Sequence, residues 1–289
     1  MKSTGDDRLI LPSGPPLPWR PRHMTAPSQV WAYRTLIRNL AARDLRSRYK
    51  KSFLGWLWSL INPATTLAIY SVVFGVFLNG KAPLAGNGHT DAFALYLFTA
   101  LIGWNTFAGG INTALQSFLA SGGLLTRTYF PPECPVVAGA LTVITQTLLE
   151  AAILVTFMIV VGNLSWTTLL ALPILASLTL YAFGIGLVVS LLNVRYRDVA
   201  YLTALGLQLL FYATPIVYSE AIVDEHPLAG LFLRLNPLTH YVAALRKSLY
   251  LLEPPTAMSW LIMVIAPAVT ITIGWIFFGR NAPRFIEEI

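Results

Sequence analysis

Apolar residues run almost unbroken through six stretches of the chain, at about 56–78, 93–120, 136–161, 167–192, 199–218 and 260–278. At about 1.5 Å of rise per residue, each approaches or exceeds the roughly 30 Å of a bilayer's hydrocarbon core. Together they hold one ionisable side chain, Glu150. The pattern predicts six transmembrane helices. Pro63, Pro173, Pro215 and Pro267 fall inside four of them, where a bilayer helix kinks and neighbours satisfy the freed carbonyls.

A different periodicity precedes the first span. At 100° per residue over 29–51, Val30, Tyr33, Leu36, Ile37, Leu40, Ala41 and Leu45 share one face while Arg38, Arg43 and Arg46 lie off it, which predicts an amphipathic helix lying at the interface. Asp44, Arg48 and Lys51 return to the apolar face, so the helix should end or bend before Ser52. Residues 228–251 are apolar enough to suggest a seventh span, but Arg234, Arg246 and Lys247 would each cost about 2.5–3.5 kcal/mol near mid-membrane. Asn236-Pro237 is a helix start, an Asn cap before a Pro in the first turn, and Leu238, Tyr241, Val242, Leu245 and Leu249 follow as one stripe. This predicts an amphipathic or re-entrant helix preceded by a short one near 228–235. The fold class is therefore all-α and polytopic: six spans, an N-terminal interface helix, and extra helices between spans five and six.

Composition agrees with that picture and charge orients it. Of 289 residues, 55% are hydrophobic and 11% charged, against about 25% charged in soluble domains. This excludes a soluble enzyme and a nucleic-acid-binding domain. Residues 1–55 carry 11 of the 20 basic side chains against three of the 13 acidic ones, so the basicity is local. With the N-terminus inside, the cytoplasmic pieces hold 16 basic residues and the outer ones four, the asymmetry of an inner-membrane protein with both termini in the cytoplasm. Residues 1–28 read as a Pro-rich cytoplasmic lead without the apolar core of a signal peptide, and 29–289 as one transmembrane domain. The single Cys134 can form no internal disulfide.

Catalytic chemistry is sparse. No carboxylate pair or metal cluster stands out, and the four His are scattered at 23, 89, 226 and 240. Residues 75–82, Gly-Val-Phe-Leu-Asn-Gly-Lys-Ala, approach a phosphate-binding loop, but Ala82 lacks the hydroxyl that binds Mg²⁺ and Gly75 lies within a span rather than after a strand. A protein of this kind driven by ATP needs another chain to bind it. Glu150 is either a substrate or ion contact or a packing residue near Gln146.

Two spans carry mixed stripes. Ser59, Asn62, Thr66, Tyr70, Val73 and Phe77 share a face of the first, and Tyr201, Leu205, Gln208, Tyr212, Pro215 and Ser219 one of the fifth. Polar atoms beside aromatic plates suit the passage of a sugar; interhelical packing with hydrogen bonds accounts for them equally well. Asn105, Gly109, Asn112 and Gln116 form a third stripe, on the second span, read as packing. The loop 121–135 is short and apolar, and Leu124, Leu125, Tyr129 and Phe130 can point into a partner's groove or touch lipid headgroups. Arg46, Arg48, Lys50 and Lys51 cluster just before Leu54-Gly55, at headgroup level, where a pyrophosphate also sits; they can grip such a phosphate or only anchor the helix and bind anionic lipid.

The series Arg43-Asp44-Leu-Arg46-Ser-Arg48-Tyr49-Lys50-Lys51-Ser52-Phe-Leu54-Gly55-Trp-Leu-Trp58-Ser-Leu-Ile-Asn62-Pro63, followed by Arg197-Asp198, Gln208, Pro215-Ile-Val-Tyr218 and Asn236-Pro237, resembles the membrane subunit of ABC-2 type polysaccharide exporters, which export O-antigen, teichoic acid and related polymers. The resemblance covers most of the chain from about residue 29, and the Pro-rich lead departs from it. It implies an interface helix, with substrate entering at Arg46, Arg48, Tyr49, Lys50, Lys51, Leu54 and Gly55. It implies a channel lined by Asn62, Thr66, Tyr70, Phe77, Tyr201, Gln208 and Tyr212, and a coupling helix using Leu124, Leu125, Arg127, Tyr129 and Phe130 to dock on a separate ATPase. Gate helices would follow span five, with Asn236, Pro237, Tyr241 and Leu245. The implied assembly is two copies of this chain with two ABC ATPase subunits that carry the ATP and Mg²⁺, so that this chain is no enzyme and holds no cofactor or metal. The implied cargo is a glycan on a lipid pyrophosphate, a cell-wall galactan being one candidate. A permease for a drug or small lipid, an ion-coupled carrier and a membrane glycosyltransferase are the competing readings. The carrier should show inverted repeats and more buried charge, and the glycosyltransferase has only Asp198 as a thin candidate carboxylate.

Overall fold

A computed structural model of the chain describes residues 26–49, 57–77, 82–125, 130–218 and 227–286. These form an all-helical bundle, with no β-strand among the described residues. In chain order the helices are α1 (Pro27–Ala32), α2 (Arg34–Tyr49), α3 (Trp58–Tyr70, continued as π-helix over Ser71–Phe77), α4 (Phe93–Ala120), α5 (Gly122–Leu125), α6 (Cys134–Val160), α7 (Ala171–Arg195, entered through a 3₁₀ turn Trp166–Leu170), α8 (Val199–Tyr212), α9 (Pro227–Leu235), α10 (Pro237–Arg246, continued as π-helix over Lys247–Leu251) and α11 (Ala257–Ile286). Among the described residues, four segments are long and apolar enough to cross a membrane: Phe93–Ala120, Cys134–Val160, Trp166–Arg195 and Ala257–Ala282. Ile61–Val73 and Val199–Tyr212 are shorter apolar helices.

The second apolar stretch lies at the centre. Every residue from Ala94 to Gly103 is buried; α4 is the least apolar of the four long segments, and in a bilayer close packing and polar contacts, rather than apolar character, draw a helix inward. Of the four long helices α4 is the most enclosed and α11 the least, at 72% and 22% of their apolar windows, which places α4 on the axis and α11 on the rim. Small residues set how closely the helices approach. Gly110 of α4 faces Ala182 of α7, Gly186 of α7 faces Ala114 of α4, and Gly139 of α6 faces Ser117 and Thr113 of α4. The closest approach joins α7 to α11: a Cβ on Gly274 would meet the Gly184 carbonyl, and one on Gly184 would meet the backbone of Thr270 and Ile271.

Two boundaries differ from the reading by hydropathy. The amphipathic segment is two helices with a turn at Tyr33, and its buried face, Val30, Ile37, Leu40 and Ala41, packs on Phe130, Cys134 and Ala138 at the start of α6. The fifth apolar stretch, expected helical to residue 218, stops at Tyr212. Pro215 lacks an amide hydrogen and disfavours helical geometry in the residue before it, so 213–218 turn instead. The segment 227–251 breaks at Asn236, whose Oδ1 accepts from the Leu238 amide at 3.0 Å, as the Asn-Pro signal predicts. Burial along α10 extends beyond the predicted stripe to Thr239, Ala244, Arg246, Ser248 and Tyr250, so this helix is part of the core rather than a half-exposed one.

Candidate functional site

Loop 82–92, the α6–α7 turn and the end of α10 meet at one end of the bundle. Asn163, fully buried, is their node: its Nδ2 donates to the carbonyls of Tyr250 (2.9 Å) and Leu249 (3.3 Å), and its Oδ1 accepts from the Asn87 amide (3.0 Å). Asn87 Nδ2 in turn donates to the Val161 carbonyl at 2.9 Å, Thr167 Oγ1 to the Ser248 carbonyl at 3.0 Å, and the Tyr250 hydroxyl to the Pro83 carbonyl at 3.0 Å. Each bond satisfies a backbone group that apolar surroundings would penalise if left bare.

Arg246 does the equivalent for the turn after α8. It is 2% exposed, donates through Nη1 to the Pro215 carbonyl and through Nη2 to the Ile216 carbonyl, both at 2.7 Å, and lies over the Tyr96 ring at 4.0 Å. Asn236 reinforces the same turn, donating to the Ala213 carbonyl and Thr214 Oγ1. By hydropathy Arg246 is only a reason to reject a span; its fork geometry suits two adjacent carbonyls, and an arginine two turns after an Asn-Pro start is the one signal that could have marked it. Of the predicted gate residues, Asn236 and Pro237 begin α10, while Tyr241 and Leu245 are fully buried. Tyr241 stacks on Tyr181 of α7, which stacks on Phe107 of α4, and its hydroxyl meets Ser177 Oγ at 2.8 Å.

Among the described residues, the helical part of the α8 stripe is left uncovered by the chain and the α3 stripe is covered in part. On α8, Tyr201, Leu205, Gln208 and Tyr212 are all exposed and Leu207 alone of the helix is buried. On α3, Asn62 and Phe77 are exposed, while Thr66 and Tyr70 are half-buried; Thr66 Oγ1 donates to the Asn62 carbonyl and Tyr70 packs against the core. Helix α3 packs mainly on α6 and α4, and α8 mainly on α7 and α4. At the α2 end, Arg46 is exposed and Arg43 pairs with Asp44 at 2.9 Å. Arg48 and Tyr49 continue the helix, and Lys50, Lys51, Leu54 and Gly55 lie outside the described residues.

The predicted coupling loop is corrected at one position. Phe130 does not project toward a partner; it is 5% exposed, beneath the amphipathic helix among Val30, Ile37, Leu40 and Ala41, with Leu124 half-buried at its edge. Its large apolar ring is removed from water by the nearest apolar face, which the chain itself supplies. Leu125 ends α5, and Arg127 and Tyr129 lie outside the described residues.

A sequence pattern described as ABC-2 type transporter matches residues 35–250, three-quarters of the chain and all of the helices from α2 to α10. The chain belongs to the ABC-2 type transporter membrane family. Among relatives of this permease, an O-antigen export system permease protein RfbA of Klebsiella pneumoniae is 28% identical over 249 residues, covering 85% of this chain and 91% of the relative. A second RfbA of Klebsiella pneumoniae is 30% identical over 208 residues, 68% and 76% of the two chains. The polysialic acid transport protein KpsM of Escherichia coli is 24% identical over 214 residues, 72% and 79%. The permease family accounts for the several apolar helices of a multi-pass membrane protein.

Proposed function

We propose that this permease is the membrane half of an ATP-driven exporter that moves a lipid-linked polysaccharide outward across the plasma membrane. Two copies pair with two ABC ATPase subunits, which bind and hydrolyse the nucleotide. Among the structural observations, the one that carries the reading is the exposed polar and aromatic stripe of α8. Lipid alone gives no reason for Gln208 to stand between Tyr201 and Tyr212, whereas a hydrated sugar offers an apolar ring face to the tyrosines and hydroxyls to the amide. The names of the relatives point to the same class of cargo.

On this reading six apolar segments span the bilayer, with α3 and α8 completing the set, both termini in the cytoplasm and the end built on Asn163 outside. A pyrophosphate-linked glycan enters beside Arg46, Arg48, Tyr49, Lys50, Lys51, Leu54 and Gly55, where an arginine fork grips phosphate oxygens. Cargo passes between the α3 and α8 stripes of the two copies, and the 121–135 loop, held by Phe130 under α2, transmits the ATPase's motion.

Deletion of the chain should abolish surface polymer and leave it inside the cell. Co-expression of the chain with its ABC ATPase should restore export, and the purified complex should contain two of each subunit. Arg48→Lys keeps the charge but loses the fork, so it should lower export without changing assembly. Undiminished surface polymer in the deletion strain would remove the proposal.

A further inference from the structure

Between α4 and α6 lies a half-open cavity of about 410 Å³ lined by the polar side chains of Asn105, Asn112, Thr113, Gln146, Thr147 and Glu150, together with Ala108, Gly109 and Val143. Its size is within the range of about 300–1,000 Å³ typical of small-molecule sites. Glu150 is 6% exposed. Asn105 Nδ2 donates to its Oε2 at 3.1 Å, and Gln146 also hydrogen-bonds it. Thr147 Oγ1 lies 2.9 Å from Thr106 Oγ1, which fixes the wall behind.

A buried intramembrane carboxylate marks a functional position more often than a packing one, and here its partners distinguish the ligand classes. Asn105 turns its amino group toward the carboxylate and orients it as an acceptor. No group of three or more metal-binding side chains of the His, Cys, Asp or Glu type occurs among the described residues. A carboxylate has about four acceptor positions, so two amide donors leave it able to accept further hydrogen bonds. Asn105 and Asn112 are exposed, as is Gln116 one turn beyond, a polar edge that hydrocarbon would penalise. The acceptors of Glu150 and the mixed donors and acceptors of Asn112, Gln146 and Thr113 match a neutral polyhydroxyl ring.

We infer that the α4–α6 cavity is a sugar-binding subsite, in which the Glu150 carboxylate, oriented by Asn105 and Gln146, accepts hydroxyl hydrogens from one residue of the glycan in transit. This rests on the polysaccharide-export reading and adds a contact point to it, distinct from the stacking surfaces of α3 and α8. Glu150 and Asn112 are the contacts, and Asn105 is a positioning residue.

A photoreactive benzoylphenylalanine in place of Asn112, in the full-length chain within cells making the polymer, should yield an adduct that stains for carbohydrate and shifts on glycosidase treatment. The same probe at Val264, exposed on α11, should not. Glu150→Gln keeps the shape and loses the charge, and should reduce export about tenfold, the equivalent of one weakened charge-assisted hydrogen bond, at parental expression and melting temperature. A lipid adduct alone at position 112 would mean that the cavity faces hydrocarbon; an adduct to a second copy of the chain alone would make it an interface. Either result, or parental export by Glu150→Gln, overturns the subsite. Because the export reading fails only if the deletion strain keeps its surface polymer, the two failures are told apart in the same strains.

Discussion

At the end of the bundle built on Asn163, three connecting segments hold one another through side-chain amides and hydroxyls, and the arginine of α10 clamps the turn that follows α8. Along the flank, α8 buries a single leucine and displays two tyrosines and a glutamine. The chain supplies most of the partners the first region needs, although Thr168 Oγ1 and Ser248 Oγ are buried there without one, and few of those the second needs. Self-sufficiency at one end and an uncovered, partly polar surface on the side are the marks of a subunit whose stability is its own and whose working surface is shared. Stability and transport should therefore respond to different substitutions.

The contact between α7 and α11 gives the sharpest test. Gly274→Leu places a side chain where the Gly184 carbonyl already lies, and overpacking of this kind costs about 3 kcal/mol or more when backbone must move. Monodisperse protein should be lost from detergent extracts. A normal melting temperature for this variant would mean the two backbones do not touch.

A smaller loss is expected at Arg246. Arg246→Lys keeps a charge near Tyr96 but loses the planar fork whose two nitrogens each reach one carbonyl, of Pro215 and of Ile216, which implies a cost of about 2 kcal/mol for the weakened charge-assisted bonding. Arg246→Leu, losing both bonds and the ring contact, should lower the melting temperature further. If the two variants melt alike, the fork is not what holds the turn.

The smallest effect on folding is expected on the flank. Tyr201→Ala and Tyr212→Ala remove side chains that are 79% and 68% exposed, and substitutions at such sites change stability by about 0.5 kcal/mol or less. Their melting temperatures should match the parent while export falls. Destabilisation as large as that of the Arg246 variants would erase the distinction between the two regions.

Much of this architecture is legible in the pattern of apolar positions. The second stretch, 93–120, coincides with α4, because 28 residues without a charge or a proline leave nothing to break the helix, and the Asn236 cap is readable because an Asn before Pro has few other uses. Where the readings went astray, tertiary contact was responsible. Phe130 looks like a projecting aromatic until the amphipathic helix is seen to cover it, and helix α8 ends early for a proline whose carbonyl an arginine 31 residues later is waiting to bind. The Glu150 cavity draws on two helices 45 residues apart, and periodicity along one helix cannot report what faces it from another. Of the residues expected to admit substrate, Arg46 alone has a described side chain.

At Gly184 and Gly274, main chain meets main chain, flanked by the side chains of Thr270 and Leu187. A contact made by backbone has no rotamer to change and little room to slip. Helices α7 and α11 are pinned together at this level. Any rocking or widening of this subunit must take place along joints filled by movable side chains, of which the α4–α6 joint around Glu150 is one.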